Sequence, residues 1–120
     1  METLIEGEAR ALCRVDDIAD GGTMGFPPAP GGFSGLVAWR NGEDVRVYVN
    51  SCPHIGTPLD WMPDVFLSRD RQHIVCATHG ALFSPTSGEC THGPCKGDYL
   101  DAVKFEIRDG IIHVAANAGL

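Results

Sequence analysis

Basic residues are scarce in this chain. Nine Lys and Arg stand against sixteen Asp and Glu in 120 residues, a formal net charge of −7. The nine are scattered singly apart from the near pair Arg69 and Arg71, so the clustered cations that a phosphate backbone rewards are missing, which argues against nucleic acid as a partner. No stretch approaches the roughly 20 consecutive apolar residues of a membrane-spanning helix. The opening segment Met1–Glu8 is acidic and lacks the basic and apolar regions of a secretion leader, so the expectation is a cytoplasmic protein with no membrane contact. Long helical periodicity, internal repeats and low-complexity tracts are absent as well. Apolar content of 43% and charged content of 21% still sit near globular averages, which excludes wholesale disorder. A chain of this length buries roughly 65% of its unfolded surface, enough for one core without disulfide staples.

What is abundant is punctuation: 15 Gly and 8 Pro, spaced between short β-rich runs. Ala9–Val15 alternates as a half-buried edge strand does, and Asp16–Asp20 makes at most one helical turn before Gly21-Gly22. Phe26–Gly32 is a proline-rich loop, since its prolines cannot donate to a central ladder. Leu36–Arg40 and Val45–Val49 flank Asn41-Gly42-Glu43-Asp44 and form a hairpin. Val65–Leu67 and His73–Ala77 around Ser68–Gln72 form a second, and Ala102–Ile107 and Ile111–Ala115 through Asp109-Gly110 a third. Three hairpins with almost no helix signal predict an all-β fold of small antiparallel sheets. His113, between Ile112 and Val114, points outward.

Five cysteines occur, Cys13, Cys52, Cys76, Cys90 and Cys95. An odd number with no secretion leader points to metal or redox chemistry in place of a disulfide framework. Two of them belong to matched mixed pairs, Cys52-Pro53-His54 and Cys76-Ala77-Thr78-His79. Each pair follows a strand and has a glycine beside it, Gly56 and Gly80. Thiolates are soft ligands that suit iron and bridging sulfide, and neutral imidazole suits iron or zinc. With two irons, each loop can give its thiolate to one and its imidazole to the other. Two Cys and two His are also a tetrahedral zinc set, although zinc modules ordinarily pair Cys with Cys and His with His.

The residues Cys52-Pro53-His54-Ile55-Gly56, Cys76-Ala77-Thr78-His79-Gly80 and Phe83 resemble the Rieske-type [2Fe–2S] proteins, among them the small soluble Rieske ferredoxins of oxygenase systems. Thr86–Glu89 through Gly93-Pro94 is similar to that family's return turn and proline loop, and the resemblance spans about residues 9 to 115. It implies one [2Fe–2S] cluster per chain, with Cys52 and Cys76 on the inner iron and His54 and His79 on the outer one. It further implies an antiparallel β-sandwich with a cluster-binding subdomain, about 50–95, inserted in a base formed by about 9–49 and 96–115. Twenty-one residues separate His54 from Cys76, longer than in compact members, with the excess expected near Trp61-Met62-Pro63 or Ser68–Gln72. The extra disulfide of cytochrome bc-type members has no counterpart, since Thr57 and Ala77 or Thr78 stand there. A Rieske oxygenase would need a second domain and a mononuclear iron site, for which this chain has no room.

The resemblance implies a one-electron carrier between a flavoprotein reductase and a terminal oxygenase, an electron-transfer component with no catalysis of its own. A permanent electron-transfer subunit of a larger, nitrite-reductase-like assembly is the second reading, and a zinc or iron structural or redox-sensing module the third. Cys90 and Cys95 bracket Thr91-His92-Gly93-Pro94 and read as loop thiols, Cys13 as a core thiol, and Trp39, Trp61, Phe66 and Phe83 as packing residues. In high-potential members a serine and a tyrosine after the second histidine donate hydroxyl hydrogen bonds to the cluster. The positions that match them here are Ala81 and Phe83, which implies a low reduction potential.

Overall fold

A computed structural model of the chain describes residues 9–26, 35–51, 67–68, 72–76, 80–93 and 96–115. Its strands are β1 (Ala9–Arg14), β2 (Thr23–Phe26), β3 (Leu36–Asn41), β4 (Asp44–Val49), β5 (Ile74–Cys76), β6 (Ala81–Phe83), β7 (Cys90–His92), β8 (Phe105–Arg108) and β9 (Ile111–Ala115). They form three antiparallel sheets of order β1-β9-β8, β2-β3-β4 and β5-β6-β7. The all-β, antiparallel expectation is met. Among the described residues the only helical segment is the 3₁₀ turn Val15–Asp17, so no helix there is long and apolar enough to cross a membrane.

Sheet β2-β3-β4 is the middle layer. Opposed residues of an antiparallel ladder share a face, and the register Leu36↔Val49, Val37↔Tyr48, Ala38↔Val47 sorts the side chains of β3 and β4 onto two faces. Leu36, Ala38, Val45 and Val47 pack with Ile112 and Val114 of β9 and with Ile18. Val37 and Tyr48 turn the other way and pack with Ile74, Cys76, Ala81, Phe83 and Cys90 of the third sheet. Both faces of β3 are therefore covered, and Leu36, Val37, Ala38 and Trp39 are all buried. That is why this strand reads as a continuous apolar run while β1 and β9 alternate.

The first and third hairpins form, each closed by a two-residue turn whose chemistry selects its type. Gly42 alone has positive φ (63°) in the β3–β4 turn, the pattern of type II′, and Asp109 (53°) and Gly110 (76°) both have it between β8 and β9, the pattern of type I′. β1 is an edge strand, as its alternation requires. Three boundaries differ from expectation. β2 includes Phe26, which the proline-rich loop was expected to contain; pairing with Leu36 draws it into the ladder. β8 begins at Phe105, because Ala102 is bridged to Tyr48 instead and Val103 N–H donates to the Val47 carbonyl at 2.8 Å. β5 begins at Ile74, and the second hairpin is seen in the Leu67–Ile74 bridge and the bond from Ser68 N–H to the His73 carbonyl at 2.9 Å. Val65, Phe66 and Pro27–Gly32 lie outside the described residues.

Candidate metal centre

The two motifs expected to hold ligands follow the ends of β4 and β5 in sequence. At the first exit the backbone is tied on both sides: Val49 N–H donates to the Asp101 carbonyl at 2.8 Å and Asn50 N–H to the Gly35 carbonyl at 2.9 Å. Ser51 is the last described residue before Cys52. At the second exit β5 reverses into β6 so tightly that Cys76 pairs with Ala81. Gly80 N–H closes the reversal onto the Cys76 carbonyl at 2.8 Å. Gly80 sits at φ 68°, and among the described residues nothing comes within 4 Å of where a Cβ would be, so its backbone angle is what favours glycine here.

Cys76 is 0% exposed, in an apolar wall of Ile74, Ala81 and Phe83. A thiolate in such surroundings is costly unless a cation shares its charge, and a metal is the cation that soft sulfur selects. A second strand end approaches the same turn. Gly93, at φ 104° just after β7, lies so close that a Cβ on it would stand 2.8 Å from Ala81 Cα. The backbone at Gly93 thus abuts the start of β6. The surroundings fit a thiolate-bound group: a buried sulfur donor, a glycine-shaped turn and a close second backbone.

Of the four expected ligands, Cys76 is placed as described, and Cys52, His54 and His79 lie outside the described residues. Consistent with that, no three His, Cys, Asp or Glu side chains gather among the described residues. Ala81 and Phe83 are both wholly buried, with no hydroxyl between them. The Ser84 hydroxyl is spent in the next turn, 3.2 Å from Thr86 Oγ1.

One expectation is corrected. Cys90 is not a loop thiol; it is the first residue of β7, 1% exposed, and its S–H donates to the His92 carbonyl at 3.2 Å. Burial between Phe83 and Leu100 makes it part of the core. Cys95, Trp61 and Phe66 lie outside the described residues, and Trp39 is buried as a packing residue. Cys13, in β1, packs against the core as expected, and burial together with Asp17 raises its thiol to about 11. His113 stands between buried Ile112 and Val114 on the opposite face of β9, half-buried. Tyr48 was not singled out by sequence, yet its hydroxyl donates to the Pro85 carbonyl at 2.6 Å. Its strand position gave no sign of that, because the acceptor lies in a distant turn.

A family model, the Rieske [2Fe–2S] domain, matches residues 8–108. No curated protein matches the chain by sequence. Among solved structures it is similar to a complex of reduced oxygenase and oxidized ferredoxin in carbazole 1,9a-dioxygenase, with 22% identity and a TM-score of 0.71 over 93% of this chain and 96% of the other. It is also similar to the ferredoxin of carbazole 1,9a-dioxygenase from Nocardioides aromaticivorans IC177, with 22% identity and a TM-score of 0.70 over 91% of this chain and 98% of that one. The terminal oxygenase of carbazole 1,9a-dioxygenase from Novosphingobium sp. KA1 shares the fold at 14% identity and a TM-score of 0.72, over 92% of this chain and 30% of the oxygenase.

Proposed function

This chain belongs to the Rieske [2Fe–2S] domain family, and on that premise we propose that it is a one-electron carrier, taking an electron from a flavoprotein reductase and delivering it to a terminal oxygenase in the cytoplasm. The observation that carries the reading is the Rieske [2Fe–2S] domain match over residues 8–108, in a chain whose second Cys/His motif begins at the end of β5 and whose fold is that of ferredoxins matched along nearly their whole length. Cys52, His54, Cys76 and His79 would hold the cluster. When bound, the cluster supplies a reversible one-electron couple.

The chain's own residues shape that couple. Cys76 would present its sulfur to the cluster from a buried, apolar wall. Ala81 and Phe83 carry no hydroxyl, so at their positions only backbone N–H groups would be available as hydrogen-bond donors to the cluster. The reading divides the chain into a cluster-binding part, about 50–95, and a base of about 9–49 and 96–115. The formal charge of −7 suits brief encounters with basic docking faces, steered by charge over small contact areas.

The reading is tested on the purified protein. It should be red-brown, hold two irons and two labile sulfides, and take up one electron per chain from dithionite. The reduced form should reoxidise when mixed with a Rieske oxygenase. A colourless protein with one zinc would establish the structural-module reading instead. Co-elution of the native protein with a large oxidoreductase on size exclusion would establish the permanent-subunit reading.

A further inference from the structure

The turn that joins β3 to β4 is held from outside the hairpin. Gly42 N–H donates to Asp20 Oδ1 at 2.7 Å, and the Gly42 carbonyl accepts from Arg40 Nε at 2.9 Å. The segment that carries Asp20 is itself fixed to the end of β3. Gly21 N–H donates to the Arg40 carbonyl at 2.9 Å, and Arg40 N–H to the Gly22 carbonyl at 3.1 Å. Arg40 Nη1 adds a bond to the Ile18 carbonyl at 2.9 Å. Both polar groups of Gly42 are thus held by side chains, although Asp20, Asn41 and Gly42 are all exposed. Asn41-Gly42 is also the one Asn-Gly pair in the chain, since Asn50 precedes Ser51 and Asn117 precedes Ala118. We propose that Asn41 is a site of spontaneous deamidation, and that Asp20 is the latch that restrains it in the folded protein.

The chemistry uses Gly42 as the nucleophile. Its nitrogen bonds to Asn41 Cγ while the Cγ–Nδ2 bond breaks, and the Gly42 amide proton leaves with Nδ2 as ammonia. Water then opens the cyclic imide. Cleavage at Cγ gives aspartate, and cleavage at the main-chain carbonyl carbon gives isoaspartate. Glycine leaves the attacking nitrogen uncrowded, and among the described residues nothing lies within 4 Å of where its Cβ would be.

The folded geometry opposes the first step. Ring closure removes the proton from Gly42 N and carries that nitrogen toward Asn41 Cγ, while the Asp20 carboxylate holds the same N–H. Asn41 is also the last residue of β3, paired with Asp44, and ring closure turns its peptide out of the ladder. Reaction therefore waits for a local opening that breaks both restraints. The product changes the hairpin. Either form carries a new carboxylate at the position opposite Asp44, a like-charge pair across the ladder, and isoaspartate also adds a carbon to the main chain there.

The test is storage of the cluster-loaded, full-length protein at mildly alkaline pH. The tryptic peptide Asn41–Arg46 is then followed by mass spectrometry. Asp20→Ala should deamidate at Asn41 about tenfold faster than the parent or more, the factor that one hydrogen bond to a charged group is worth. Asn50 should keep its parent rate, which separates a local latch from general unfolding. In urea the two proteins should react at one rate, because the latch exists only in the fold. Equal rates in the folded proteins would overturn the proposal, as would a parent that reacts as fast folded as in urea. Slower reaction in Asp20→Ala would overturn it too, by making the carboxylate the base that takes the Gly42 proton. None of these readouts depends on the carrier reading.

Discussion

The hydroxyl of Tyr48 donates to the carbonyl oxygen of Pro85 at 2.6 Å, across 37 residues and wholly within the core. Tyr48 belongs to the middle sheet and Pro85 to the turn after β6, so this one bond ties the layer carrying Cys76 to the layer beneath it. Gly88 completes the joint. Its φ is 78°, and a Cβ there would stand 2.9 Å from Tyr48 Cε1.

Tyr48→Phe keeps the ring and strands the Pro85 carbonyl without its donor. A buried acceptor left unsatisfied costs about 1–3 kcal/mol, so the denaturant midpoint should fall with an unchanged slope. Gly88→Ala should cost as much or more, since it adds a strained φ to a collision with the tyrosine ring. Urea unfolding of the two variants measures both, and a Tyr48→Phe protein as stable as the parent would show that the bond carries no weight.

Cys13 makes stability depend on alkaline pH. Burial first, and Asp17 second, raise its thiol from the ordinary 9.0 to about 11. The folded state therefore holds the proton more tightly than the unfolded chain. The contribution is complete below pH 9 and is lost as pH climbs through 11. Tyr48, raised above 10 chiefly by burial, adds a fall of the same sign at higher pH. Cys13→Ala should flatten the decline between pH 9 and 10, where Tyr48 contributes little. Unfolding midpoints at pH 7.5, 9 and 10 give the slope, and equal slopes in parent and variant would be the contrary result.

Local chemistry explains which parts of the fold were legible in sequence. Gly42 and Asp109-Gly110 dictate their turns whatever surrounds them, so the first and third hairpins could be read directly. β2 could not. Gly25 weakens its strand signal and Pro27-Pro28 follows it, and it is a strand because β3 pairs with it. Cys90 misled for a similar reason: beside Gly93-Pro94 it looks like a loop residue, and only the packing of Phe83 and Leu100 shows it to be core. The two Cys/His motifs stand out because metal chemistry demands particular atoms at particular spacings. The approach of Gly93 to Ala81 has no such signature, since any chain contains glycines and the close contact is made by tertiary structure.

The ligand set has a direct test in which the other thiols serve as controls. Cys52→Ser, His54→Ala, Cys76→Ser and His79→Ala should each abolish or severely deplete the cluster. Cys13→Ala, Cys90→Ala and Cys95→Ala should retain two irons and two sulfides per chain. Cys90→Ala should also lose about 1–2 kcal/mol of stability, because it empties part of a packed core. Iron and sulfide analysis beside thermal unfolding separates the two effects. Iron loss with Cys90→Ala as complete as with Cys52→Ser would mean that the assignment is wrong.

The contact at Gly93 predicts a coupling between the β7 exit and the cluster turn. In Gly93→Ala the new methyl meets Ala81 Cα, at 2.8 Å. That neighbour is backbone and cannot swing aside, so either the Gly93 segment or the start of β6 must move. The variant should be destabilised and should hold less iron than the parent. Full iron content together with parent-like stability would show that the two segments are not coupled.

The reduction potential should lie at the low end of the Rieske range, about −150 mV. Hydroxyl donors to cluster sulfur favour the reduced state, which carries one more negative charge. Here the two positions are Ala81 and Phe83, both wholly buried, and the nearby Ser84 hydroxyl is engaged with Thr86. The net charge of −7 acts in the same direction, weakly, since salt screens surface charge beyond about 10 Å. Restoring one donor with Ala81→Ser should raise the midpoint. If the new bond favours the reduced over the oxidised form by about 1.4 kcal/mol, a tenfold bias, the rise is about 59 mV for one electron. Phe83→Ala is the control: it loosens the core without adding a donor, so it should lower stability and leave the midpoint without that rise. Direct electrochemistry near neutral pH reads all three proteins, and a parent midpoint above about +100 mV, in the high part of the Rieske range, would refute the donor account.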